Sequence, residues 1–469
     1  MYSESTAAAS MHRKPQLGRQ LLDISGLALW VGPATGMTRV ESQLARWSNE
    51  AVETVVYDTR ANAYRAIRPA FRDILTSFAD GIDPRWVSLP VARSGWRQAT
   101  PSLLDTLMAL EVLRLRAGDS LGGAVDRLQR ALVGWRGSRF PLVGPDGVRY
   151  AYHDPRRVLG PPIRLMPEDR ILASAADWGR RDAQAYARYI GGSRARLSVL
   201  CYDLLPITHP QYFASGPREQ FAAVWCALLP VSERVIVTAE CVAHDVAALA
   251  KSLRLPPPQT FRVRLGADPP GQSSVPLPAG RERGRFVLYV STIEPRKNHA
   301  LLMRVWRRLV RRGWPQQIGA HLVFVGRPGW MVDGVLAELN EPEAFAGTLH
   351  WLRDVDDVSL ARLYEDCAFA LYPSRTEGYG LPVVEAFAHG KAVLASSGGS
   401  LPEVIDGTAP LLDPDDAAAW ERMIVTWFEQ PAARAETERL VAQRNADPAR
   451  APDWRSAASA LLSAGGFAQ

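Results

Sequence analysis

Short apolar runs alternate with amphipathic stretches along most of the chain. Leu21–Ile24 and Leu27–Val31 come first, and the second run ends in Gly32-Pro33-Ala34-Thr35-Gly36, so a strand is expected to feed a glycine loop. Thr38 is placed to cap the next segment, in which Val40, Leu44 and Trp47 recur at helical spacing. Thr54-Val55-Val56-Tyr57 is β-branched and aromatic and has the length of a strand. A β-α-β opening of this kind is the signature of a parallel sheet with crossover helices. Further strands are predicted at Ile171–Ala173, Leu197–Tyr202, Val235–Thr238 and Phe261–Leu265.

Residues 1–268 read as one Rossmann-like α/β domain with a helical, Arg-rich insert at about 64–140. Within the insert, Leu121–Trp135 pairs an apolar face with Arg127 and Arg130, a pattern suited either to packing on the domain or to lying on an anionic membrane. Residues 269–284 are rich in Pro, Gly and Ser and read as a linker. The β/α alternation then restarts at Phe286–Ser291 and gives a second Rossmann-like domain over 285–445. Two open α/β domains bind ligands beyond the carboxyl ends of their strands, so both are expected to face one interdomain cleft.

Composition narrows the class without naming a partner. Apolar residues make up 47% and charged residues 22% of 469, which fits a globular protein and excludes a disordered or fibrous one. The net charge is +6, yet only Lys14, Lys251, Lys297 and Lys391 are lysines among 55 cations. The arginines are dispersed and no aromatic-basic module accompanies them, so nucleic acid is not an expected partner. No apolar run is long enough for a membrane span and the N-terminus lacks an apolar signal core, which places the expected location in the cytoplasm. Four scattered cysteines without a C-x-x-C pair indicate neither zinc nor a disulfide framework.

Chemistry concentrates in two segments. Ser291-Thr292-Ile293-Glu294-Pro295-Arg296-Lys297-Asn298 comes after an apolar strand and precedes a helix. An Arg fork beside a compact Lys charge suits a diphosphate. The second segment, Ser374-Arg375-Thr376-Glu377-Gly378-Tyr379-Gly380-Leu381-Pro382-Val383-Val384-Glu385, places glycines and a Pro-started helix where backbone N–H groups would cradle phosphate. Glu377 and Glu385 stand eight residues apart, suited to meet different hydroxyls of one ligand.

Pro295-Arg296-Lys297-Asn298 together with the E-x7-E pattern Glu377 to Glu385 resembles the retaining nucleotide-sugar glycosyltransferases of family 4, which have the GT-B fold. Thr35-Gly36-Met37-Thr38-Arg39-Val40, Tyr202-Asp203-Leu204-Leu205-Pro206 and Asp453-Trp454 extend the resemblance across the chain. It implies a nucleotide-diphosphate sugar donor, with GDP-mannose weakly preferred, and a glycan or lipid-linked acceptor in polysaccharide assembly, with contact to the inner membrane face as an option. Arg296 and Lys297 would hold the diphosphate, Glu377 the donor sugar and Glu385 the ribose. Gly36 and the backbone of Gly378, Tyr379, Gly380 and Leu381 would line the donor, and Val355 would touch the base. Tyr202, Asp203 and His153 are implied as sugar or acceptor contacts, although relatives often carry His-Asp where this chain has Tyr202-Asp203. Residues 446–469 would form a helix crossing back to the first domain.

Asp354-Val355-Asp356 and Asp413-Pro414-Asp415 spell the D-x-D of metal-dependent transferases, but each precedes a helical pattern and reads as a helix cap, so neither metal nor other cofactor is expected. Two other readings fit the same architecture: a nucleotide-sugar epimerase or phosphorylase, and a catalytically silent scaffold.

Overall fold

The structure, a computed structural model, describes residues 18–29, 36–59, 61–68, 72, 87–88, 151–152, 159–174, 181–267, 282–353 and 355–468. Nearly all of the expected insert, including Leu121–Trp135, lies outside the described residues, as do His153, Asp354 and the segment 268–281.

The first sheet has eight strands in the spatial order Gln259–Arg262, Ser232–Val237, Arg196–Cys201, Arg170–Ala173, Gln20–Asp23, Val52–Asp58, Ala63–Ile67 and Leu159–Ile163. The first six are mutually parallel, and the last two add antiparallel at the edge. Two expectations change here. Tyr64, taken as the start of a helical insert, lies in the strand Ala63–Ile67, next to last in the sheet, where it pairs with Tyr57 of the neighbouring strand. The run after Ile24 forms a short helix, Ser25–Leu29, rather than a strand. Its opening is fixed by side chains: Asp23 Oδ1 accepts from Ser25 N at 3.0 Å, and Glu41 accepts from Leu27 N. Thr38 does not cap, since the next helix runs Gly36–Trp47 and Thr38 is buried inside it.

Alternation along the strands gives this sheet two buried faces. Leu21, Ile171, Leu197 and Val235 pack with Tyr186, Ile190, Phe221 and Val246 of three crossover helices. Leu22, Leu172, Leu200 and Ile236 belong to the opposite core, which also takes in Trp454, Ala458 and Leu461 of the last helix, Trp454–Ala464. Asp453 caps that helix by accepting from Ser456 N at 2.7 Å, and Ser198 Oγ donates to Gly465 O at 3.0 Å where it ends on the first sheet. Burial of each large apolar side chain contributes about 1.5–3 kcal/mol.

The second sheet is wholly parallel, in the order Leu349–Leu352, His321–Val325, Phe286–Val290, Phe369–Tyr372, Val393–Ser396, Leu411–Leu412. Its central strands are continuous apolar runs because helices cover both faces. His299 opens the helix His299–Arg311 inside this core, against the rings of Tyr289 and Phe324. Burial, with Lys297 nearby, pushes its pKa down from 6.5 to about 3.

Below about pH 6.5 the unfolded chain takes up a proton at His299 that the folded chain refuses, so stability falls with acidity between about 6.5 and 3, by about 1.4 kcal/mol per pH unit at most. His389, lowered by burial to about 4, acts in the same direction. Denaturant midpoints should therefore drop between pH 6.5 and 5, and His299→Phe should flatten the slope. An unchanged slope would mean that the core accommodates protonated His299.

Candidate active site

Each sheet has one point where the strand order reverses, and an open α/β sheet binds ligands at such a point, beyond the carboxyl ends of its strands. In the second sheet it lies between Phe286–Val290 and Phe369–Tyr372. The loops leaving those two strands carry Arg296-Lys297 and Glu377, which is why residues 80 positions apart meet. Glu377 Oε2 accepts from Arg296 Nη1 at 2.7 Å, and Oε1 from Lys297 Nζ at 2.6 Å. Lys297 Nζ also donates to Tyr372 OH at 3.2 Å, while Tyr289 OH donates to the Lys297 carbonyl at 2.6 Å. Arg375 N donates to Arg296 O at 2.7 Å and ties the loops together through the backbone.

This cluster is buried, and burial sets its electrostatics. Desolvation opposes charge on Glu377, but Lys297 and Arg296 overcome it and hold the carboxylate down at about 2. Lys297 is itself lowered, by burial and by Arg296, against the pull of Glu377. Glu294 is pushed up by burial while Arg296 resists the shift. Its Oε2 lies 3.1 Å from Arg296 Nε, close enough for an ion pair, yet neither atom finds a hydrogen-bond partner.

The first domain meets the second at this point. Asp203, just past the strand Arg196–Cys201, has its pKa raised by burial and lies within the field of Arg296, Glu377 and Lys297. Its Oδ1 accepts from Leu205 N at 3.1 Å. Tyr202 is turned away from that cluster, with its hydroxyl 3.5 Å from Met37 O. Gly378 lies against the backbone of both: a Cβ there would stand 2.4 Å from Tyr202 O and 2.6 Å from Asp203 Cβ. Thr238 Oγ1 donates to Gly378 O at 3.0 Å across the same junction. Tyr379 is buried, with its OH donating to Leu265 O at 3.1 Å, and Gly380 precedes the helix Leu381–Ala388. Gly36 faces Leu381 across the cleft.

Glu385 stands on that helix, where Tyr364 OH donates to its Oε2 at 3.1 Å. Arg39, on the first domain's helix Gly36–Trp47, reaches across with both arms of its fork. Nη1 meets Glu385 Oε1 at 2.8 Å and Nη2 meets Asp357 Oδ1 at 2.9 Å. Val355 is partly buried two residues before Asp357. Sequence reasoning missed Arg39 as a site residue, along with Glu294, Asp357 and Glu403. Glu403 of the second domain accepts from Glu240 N and Cys241 N at 2.6 and 2.9 Å, at the start of the helix Glu240–Ser252.

Asp356 caps the helix Asp357–Asp366 by accepting from Ser359 N at 2.7 Å. In the other D-x-D the cap of the helix Ala417–Glu429 is the next residue, Asp416, whereas Asp415 pairs with Arg375 at 2.6 Å. Among the described residues, no group of three or more His, Cys, Asp or Glu side chains is placed to hold a metal. Among the same residues, no helix is long and apolar enough to cross a membrane.

Comparison with solved structures shows the fold. Sucrose-phosphate synthase from Thermosynechococcus elongatus superposes with a TM-score of 0.58 at 18% identity, over 95% of this chain and 98% of that one. Anabaena HepE in complex with UDP and glucose gives 0.52 at 13% identity, over 96% and 97%. The fold is GT-B, two Rossmann-like domains facing across a cleft. Residues 284–430, the second domain, match the family described as glycosyl transferases group 1. The serotype-specific mannosyltransferase WbdA of Escherichia coli is 26% identical over 336 residues, which is 65% of this chain, and the chain spans 40% of WbdA's length.

Proposed function

We propose that the protein is a retaining glycosyltransferase that moves a sugar, mannose from GDP-mannose by preference, from a nucleotide-diphosphate donor to a glycan or lipid-linked acceptor in polysaccharide assembly. The observation that carries this reading is the buried Arg296–Lys297 pair on the shared carboxylate of Glu377 at the reversal point of the second sheet. The match to a glycosyl transferase family over that domain and the mannosyltransferase relative support it.

In this reading the donor diphosphate meets Arg296 and shares Lys297, so both cations face the charge that grows as the bond to the sugar breaks. The acceptor hydroxyl adds to the anomeric carbon on the face the diphosphate leaves, and a departing phosphate oxygen takes its proton. Glu377 holds the sugar hydroxyls, Glu385 the ribose, and Val355 borders the base. The two cations carry the leaving-group charge without a metal. Incubating the protein with GDP-mannose, UDP-glucose and other donors, with a mannose oligosaccharide as acceptor and with or without chelator, tests the reading. Extension of the oligosaccharide by one α-linked sugar is expected with chelator present; loss of extension on chelation would contradict the metal-independent part.

Arg39 holds the carboxylate assigned to the ribose, so donor and Arg39 compete for Glu385. Partly exposed ion pairs contribute up to about 1 kcal/mol, and Arg39→Ala should tighten nucleotide binding by about two- to fivefold in calorimetry. Weaker binding would instead place Arg39 among the groups that grip the nucleotide.

A further inference from the structure

The mouth of the cleft carries aromatic rings from both domains that the transfer chemistry does not use. Trp330 and Met331 are neighbours in sequence and are 37% and 57% exposed, two of the few large apolar side chains the described residues leave in solvent. Trp330 Nε1 donates to Tyr212 O of the first domain at 2.8 Å, and its ring lies 5.6 Å from that of Phe213 at 30°. Tyr212 in turn stacks on His209, with ring centroids 6.3 Å apart and planes within 13°.

Both halves of this patch are anchored to the catalytic cluster. Gly329 N donates to Ile293 O at 2.9 Å and Ile293 N to Arg327 O at 2.8 Å, which pins the Trp330 loop on the segment leading to Arg296. A Cβ on Gly329 would stand 2.9 Å from Glu294 Cγ, so only glycine lets the loop lie this close. On the other side, His209, Tyr212 and Phe213 come after Asp203 through the short helix Leu205–Thr208, with Thr208 Oγ1 2.9 Å from His209 Nδ1.

We propose that Trp330, with Phe213 and Tyr212 beside it, forms a saccharide-binding platform that receives the acceptor sugar; the proposal rests on the transferase reading. A pyranose presents one face of C–H groups and a rim of hydroxyls, so it covers a flat indole with its apolar face while its rim meets polar groups. The patch has that make-up: an exposed indole at Trp330 beside the half-buried rings of Tyr212 and Phe213, with the His209 imidazole and the Thr208 hydroxyl at the margin. A donor base is the poorer occupant, because the patch straddles both domains, whereas the carboxylate assigned to the ribose and Val355 lie towards Asp357. The platform thereby binds the acceptor most fully when the two domains meet, since half of it comes from each.

The test is a titration of α-linked mannotetraose and maltotetraose, monitored by saturation-transfer NMR, on the wild type, Trp330→Ala, Trp330→Phe and Phe213→Ala, with GDP and UDP titrated in parallel. Trp330→Ala is expected to weaken saccharide binding about tenfold, the scale of one aromatic contact. Trp330→Phe, which keeps a ring but not the N–H donor, should stay within about threefold, and nucleotide affinity should not change. Unaltered saccharide binding in Trp330→Ala, or no binding of either saccharide by the wild type, would overturn the platform. So would a parallel loss of nucleotide affinity, or equal losses in Trp330→Phe and Trp330→Ala, which would make Trp330 a base contact or a pin between domains. Saccharide binding that depends on Trp330 in a protein that binds no nucleotide would leave the platform standing and remove the transferase reading.

Discussion

Lys297→Ala should lower kcat/KM for sugar transfer by about 10²–10³-fold, as loss of one preorganised group stabilising a leaving-group charge does elsewhere. Lys297 is buried, donates to Glu377 at 2.6 Å and to Tyr372 OH at 3.2 Å, and its carbonyl accepts from Tyr289 OH, so its ammonium is held in one place. Glu377 keeps Arg296 at 2.7 Å after the substitution, and the loss of stability should therefore fall below the roughly 3–5 kcal/mol expected when a buried charge loses its only partner. Measuring single-turnover rates beside denaturant midpoints separates the two effects. A rate within about tenfold of the wild type would remove Lys297 from the leaving-group site.

Gly378→Ala carries the second large effect, and it acts through domain contact. The added methyl would overlap Tyr202 O and Asp203 Cβ, both in the chain just past the strand Arg196–Cys201, and neither is the far end of a flexible side chain. Relieving such overpacking costs about 1–3 kcal/mol, or roughly 5–150-fold in kcat if the reacting state needs this contact. The second domain's own core is untouched, so turnover should fall more than nucleotide affinity. Wild-type turnover in this variant would mean that the domains separate at Gly378 during the reaction.

How much of the fold and site was legible in the sequence depended on the range of the forces involved. Phe286–Val290 and Phe369–Tyr372 are buried on both faces, so their runs of apolar residues identify them without context. Arg296, Lys297 and Glu377 stand out because each lies in the loop leaving such a strand. The run after Ile24 misled, because its helix depends on carboxylates: Asp23 at its start and Glu41, which is 14 residues beyond Leu27. Arg39 and Glu403 escaped notice for the same reason, with partners 346 and 162 residues away on the other domain. Charged residues on a helix surface look alike until a fold supplies the opposing carboxylate or helix end.

The reading of the site rests on the Arg296–Lys297 pair as the place for a diphosphate. Calorimetric titration of GDP against GMP, and of UDP against UMP, isolates the diphosphate contact because each pair differs by one phosphate and needs no acceptor. One diphosphate is expected to bind far more tightly than its monophosphate, and Lys297→Ala to erase most of the difference. Equal affinity for both members of each pair, or a difference that survives Lys297→Ala, would contradict that reading.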